Sequence, residues 1–170
     1  MTFPEFIKRR KRSRQALLSW CSSSTEPGSE GRWSARMVYH HVLLAESGAL
    51  SLLERLVEKA GTLPEVAIEG PMPVREELFS FDLVRAMSVP AARGTEPDPD
   101  VLDSELRELE TSTEERYASL LELGKKRDLR SVSFPHPLAG RMNFYEWLAF
   151  GLVHEELHLG QAGQGGRLGS

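Results

Sequence analysis

The chain has 170 residues, a formal net charge of −4 and a pI near 5.8, a length that fits one domain, 1–170, with a core at about 5–163 and a Gly-rich tail at 164–170. Apolar residues make up 40% and charged residues 27%, enough for a core and too evenly mixed for a disordered tail. The acidic balance argues against a nucleic-acid-binding domain, which usually carries a basic excess, and no stretch approaches the ~18 uninterrupted apolar residues of a membrane span.

Strand-forming runs are nearly absent beyond Val66-Ala67-Ile68, while Leu, Ala, Glu and Arg dominate, so the chain reads as all-α. A first helix is expected from about Phe6 to Ser22. It contains the basic run Lys8-Arg9-Arg10-Lys11-Arg12-Ser13-Arg14. Such a run can bind phosphate or an acidic partner; the simpler reading, preferred here, is the solvated face of the helix. The apolar stretch from Ala16 to Cys21 is too short for the ~7–15-residue core of a signal peptide. Cys21 is the lone cysteine, so no disulfide can form within the chain, and a reducing, cytoplasmic setting is expected. With no basic neighbour evident, Cys21 is not a candidate nucleophile.

After a Ser/Glu/Pro/Gly loop at 23–31, Ser34 is placed to cap a second helix. Met37, Val38, His41, Leu44, Ala45, Leu52, Leu53 and Leu56 recur near a 3.6-residue period, and Gly61 past Lys59 reads as its C-cap. Residues 62–99 are punctuated by proline and read as a long crossover connection, with one short helix at about Arg75 to Met87. A third helix is expected from about Pro99 to Gly124, with Val101, Leu102, Leu106, Leu109, Tyr117, Leu120 and Leu121 as its stripe. Residues 134–140 read as a tight loop. A fourth helix starts at Asn143, which with Glu146 matches an Asn-x-x-Glu capping box.

His154 and His158 stand at i and i+4 on this last helix, one turn apart on one face. Trp147, Phe150, Gly151 and Gln161 share or border that face, which turns the imidazoles inward. Buried imidazoles need partners for their nitrogens. A metal ion supplies one directly; hydrogen bonds to carboxylates such as Glu46 or Glu155 are the alternative. His154-Glu155-Glu156-Leu157-His158 also fits the H-E-x-x-H pattern of zinc proteases. Residues 159–170 contain no His, Asp or Glu, so a third ligand has to come from an earlier helix. His41, on the stripe of the second helix, is the candidate; His40 points about 100° away and is peripheral. Three histidines with an open fourth position is the catalytic arrangement for zinc, and nickel, manganese or iron also accept imidazole.

These residues resemble a known family. Trp33-Ser34, His41 and Glu46, followed by His136-Pro137, Gly140, Tyr145-Glu146-Trp147, His154, His158 and Gln161, are similar to the W-S…H…E and H-P…G…Y-E-W…H-x-x-x-H…Q patterns of the DinB-like (YfiT-like) superfamily. The resemblance spans Trp33 to Gln161. It implies an all-α four-helix bundle with a long crossover between helices 2 and 3, a divalent-metal site made by His41, His154 and His158, and a homodimer. It implies a metal-dependent transferase acting on a small-molecule electrophile with a low-molecular-weight thiol. A metal-dependent hydrolase, or a non-catalytic stress-response protein on the same bundle, are the alternatives. Zinc or nickel is the first expectation for the metal. Glu155 and Glu46 are candidate catalytic carboxylates, either orienting a ligand imidazole or accepting a proton. Arg141 and Tyr145 are candidates for substrate contact.

Overall fold

The structure, a computed structural model, describes residues 1–25, 33–61, 63, 65–79, 93–137 and 139–163, without the side chains of 161–163. Four long helices carry the fold: α1 (Phe3–Ser23), α2 (Ala35–Ala60), α3 (Asp103–Lys126) and α4 (Phe144–Gly163). The chain is a four-helix bundle with a long connection, 61–102, between α2 and α3. None of its described helices is long and apolar enough to cross a membrane.

Local chemistry sets most helix ends. α1 starts earlier than expected because Thr2 caps it: its hydroxyl accepts from the Glu5 N–H, and the Glu5 carboxylate accepts from the Thr2 N–H at 2.7 Å. Ser34 caps α2, accepting from the Met37 N–H. Gly61 ends it at φ 69°, a left-handed conformation that costs glycine nothing. At α4 the expected capping box is present. Asn143 Oδ1 accepts from the Tyr145 and Glu146 N–H groups, and Glu146 accepts from the Asn143 N–H at 2.9 Å.

Two expected elements take a different form. Residues 133–143 are an antiparallel hairpin and not merely a tight loop: β1 (Ser133–His136) pairs with β2 (Gly140–Asn143) in the register Ser133 to Asn143. Its strands are only four residues long and one contains Pro135, so no alternating run announces them. The short helix expected at about Arg75 to Met87 is a 3₁₀ turn, Glu76–Phe79, as far as the described residues go; the remainder lies outside them.

α2 packs on both α3 and α4, and α1 packs on α4 and α2. Two apolar clusters form the core. One gathers Phe6, Leu50, Leu53, Tyr117, Phe144, Tyr145, Leu148 and Leu152; the other gathers Leu17, Val38, Val42, Leu43 and Leu106. Along each of the first three helices, buried polar residues separate the two: Arg10, Ser13 and Arg14 on α1, Glu46 on α2 and Thr113 on α3. Along α2 the buried line is turned slightly from the expected stripe. Tyr39, Val42, Leu43, Ala49 and Leu50 are inside, whereas Met37, Leu44 and Ala45 are half-buried. Leu102, placed on the α3 stripe by its neighbours, is 61% exposed because it precedes the helix.

The α3–α4 contact leaves no spare room at Gly124. A Cβ there would lie 2.9 Å from Phe144 Cε1 and 3.1 Å from Tyr145 Cε1, and both rings are fully buried. The Tyr145 ring is further fixed by its hydroxyl, which accepts from the Leu129 N–H and faces the Gly124 and Arg127 carbonyls. Gly124→Ala is therefore expected to destabilise the fold. The overpacking cost of about 1–3 kcal/mol exceeds the helix-propensity gain of about 1 kcal/mol, and a lowered denaturation midpoint with an unchanged m-value would register it.

Candidate metal centre

His41 of α2 and His154 and His158 of α4 converge, with their ligand atoms within 4.8 Å of one another. His41 Nε2 lies 3.3 Å from His154 Nε2, and His158 Nε2 lies 3.1 Å from His154 Nε2. Two nitrogens each ~2.05 Å from a tetrahedral zinc ion stand about 3.3 Å apart, so the spacing suits a shared cation.

The protonation states also suit one. His41 Nδ1–H donates to the Thr95 carbonyl at 2.6 Å. A carbonyl only accepts, so Nδ1 carries the proton and Nε2 presents its lone pair to the centre. Burial keeps the His41 imidazole below its ordinary range. Burial, reinforced by His158 and His41, pushes His154 further down. Both rings are uncharged at neutral pH, the form a metal requires. Aromatic side chains support them. Trp33 lies 4.9 Å from the His41 ring, and Phe150 stacks on His154 within 10° of parallel. His136 of the hairpin packs on Trp147 and Phe150, and its Nδ1 accepts from the Ala139 N–H.

His40 is outside the triad, as expected, but it is buried, and its Nδ1 accepts from the Asp98 N–H at 3.2 Å. Adjacent histidines thus hold the last part of the connection, one by the Asp98 N–H and the other by the Thr95 carbonyl.

Glu46 and Glu155 are not on the surface, where helical glutamates usually lie: they are 2% and 1% exposed. Their partners come from the basic run. Arg14 donates to Glu46 Oε2 and, at 2.5 Å, to Glu155 Oε1. Arg10 donates to Glu46 Oε1 at 2.7 Å and grips Glu114 of α3 with two nitrogens at 2.7 and 2.8 Å, while its guanidinium lies 3.8 Å over the Tyr117 ring. Burial opposes the charge of both arginines, but Glu46 beside Arg10, and Glu155 and Glu46 beside Arg14, outweigh it and keep both protonated. Burial, only partly offset by Arg14, pushes the Glu155 carboxyl up to about 7. Arg10 and Arg14 correct the view of residues 8–14 as a solvated face. Only Lys8, Lys11 and Arg12 are exposed, and Arg9 is half-buried on Glu156. Residues 10 and 14 lie in register with buried Phe3, Phe6, Ser13 and Leu17, a spacing that marks their inward face.

Tyr145 is fully buried and bonded to the main chain, which leaves it no route to a substrate. Arg141 is exposed and reaches Ser133. Cys21 is half-buried, and burial raises its thiol, the opposite of activation.

A family model described as the DinB superfamily matches residues 5–162. A solved structure described as the crystal structure of TT2238, a four-helix bundle protein, is similar at 26% identity and a TM-score of 0.53, covering 96% of this chain and 99% of that one. No curated protein matches the chain.

The two kinds of ion pair should respond differently to truncation. Glu46→Ala takes one carboxylate partner from each of two buried guanidinium groups and is expected to cost about 3–5 kcal/mol. Glu156→Ala releases only the half-exposed Arg9 and is expected to cost under about 1 kcal/mol. Urea denaturation of the two variants measures the contrast.

Proposed function

Given that the chain belongs to the DinB superfamily, we propose that it is a divalent-metal protein in which His41, His154 and His158 are the ligands, and that it transfers a low-molecular-weight thiol to a small electrophile. The observation that carries the metal part is the spacing of three Nε2 atoms, together with a His41 tautomer set by Thr95. The thiol part rests on the resemblance to thiol-dependent members of the family. A bound divalent ion with an open position supplies Lewis acidity and lowers the pKa of a thiol or water held there.

The chain's own residues do the rest. Thr95 holds the His41 ring through its main chain, and Phe150 and Trp33 restrain the His154 and His41 rings from the side. The same two half-buried aromatic side chains offer apolar faces beside the ligands, which suit an apolar electrophile. Glu46 and Glu155 enter this reading as holders of their helices, because arginine binds both oxygens of Glu46 and Oε1 of Glu155. Zinc, nickel, manganese and iron all remain compatible with three imidazoles.

Purified protein is expected to bind one divalent ion per chain. His41→Ala, His154→Ala and His158→Ala should each weaken binding by about 100-fold or more, since even the outer partners of metal ligands are worth 10–100-fold. Elemental analysis and chelator competition measure this. Loaded protein should consume an electrophile only when a thiol is supplied. Turnover without thiol would move the assignment to hydrolysis, and failure of the wild-type chain to take up any divalent ion would remove it altogether.

A further inference from the structure

The imidazoles come from two helices, and nothing in the rings themselves sets how far apart those helices stand. Metal–ligand distances tolerate only about ±0.2 Å, so the spacing of α2 and α4 has to be held by other groups. Apolar contact alone is permissive, because side chains of similar volume can repack.

Glu46 lies about one and a half turns beyond His41 on α2, and Glu155 directly follows His154 on α4. Arg14 of α1 reaches both, through different nitrogens of one guanidinium. That group is a rigid planar fork. The two carboxylates, and the helices that carry them, are therefore fixed relative to one another. Glu46 has little freedom to swing away. Arg10 holds its other oxygen, and the backbone of α4 passes so close at Gly151 that a Cβ there would stand 3.0 Å from Glu46 Oε1.

We propose, on the premise that the three histidines bind a metal, that Arg14 is a positioning residue for the centre: by clasping Glu46 and Glu155 together it sets the α2–α4 separation at which His41 meets His154 and His158. Charge alone predicts the reverse, since a cation beside a metal site opposes metal binding. Geometry and charge therefore come apart experimentally.

Arg14→Lys keeps the charge but replaces the fork with a single point donor. It is expected to bind zinc about 10–100-fold more weakly, the loss typical of outer-sphere partners, and to alter the visible spectrum of the cobalt-substituted protein. Arg116→Lys is the control. Arg116 makes a comparable link between α2 and α3, to Glu54, Ser47 and Ser51, and its replacement should lower the melting temperature while leaving zinc affinity within about twofold. Circular dichroism establishes that each variant is folded at the assay temperature. Should Arg14→Lys fail to fold, Gly151→Ala serves instead: it displaces Glu46 with every charge retained and should weaken zinc binding. Wild-type affinity in a folded Arg14→Lys, or in Gly151→Ala where that variant is the one used, would overturn the proposal. An equal loss in Arg116→Lys would overturn it too, by showing general destabilisation. If the wild-type chain binds no divalent ion, the metal assignment fails first and the role of Arg14 with it.

Discussion

Ionised groups removed from water have to find one another, and here that requirement spans the whole bundle. Arg10 and Arg14 come from α1, Glu46 from α2 and Glu155 from α4, and the half-exposed Glu114 of α3 closes the group from its rim. Each lost ionic hydration costs several kcal/mol, and the pairing only roughly restores it. The cluster therefore adds little net stability. What it adds is selectivity among arrangements. Apolar helix faces can slide past one another and still bury area, whereas a helix that slips here leaves a charge without its counterion. The layer of ions between two apolar clusters thus works as a register mark for all four helices.

The centre borders that layer and shares its physics. Deep burial that makes an unpaired carboxylate expensive also keeps the His41 and His154 imidazoles neutral, so their lone pairs are available without competition from protons near pH 7. The alternative raised by the sequence, histidines bonded to Glu46 or Glu155, gives way for a simple reason. Arginine binds those carboxylates better than a neutral imidazole can, and the Nε2 atoms of the rings face one another.

The sequence showed the fold class and the histidine triad because both depend on periodicity. The i, i+4 pair and the position of His41 on a helical stripe survive translation into three dimensions. Capping chemistry was equally legible at Ser34, Gly61 and Asn143, where a short side chain or a missing one acts on its own backbone. The hairpin at 133–143 was not, because four-residue strands with a proline carry no pattern. Arg10 and Arg14 were misassigned for a different reason. They sit on the buried repeat of Phe3, Phe6, Ser13 and Leu17, but composition treats a run of cations as solvated, and their counterions lie 32 or more residues away along the chain. The Thr95 contact could not be foreseen, since a carbonyl has no sequence signature.

That last contact has an evolutionary consequence. The group that orients His41 belongs to the peptide backbone and is the same whatever residue occupies position 95. The connecting segment can change its side chains, and with them whatever it presents to a visiting molecule, while the imidazole keeps its tautomer. A protein built this way can diversify what it recognises and leave its chemistry untouched.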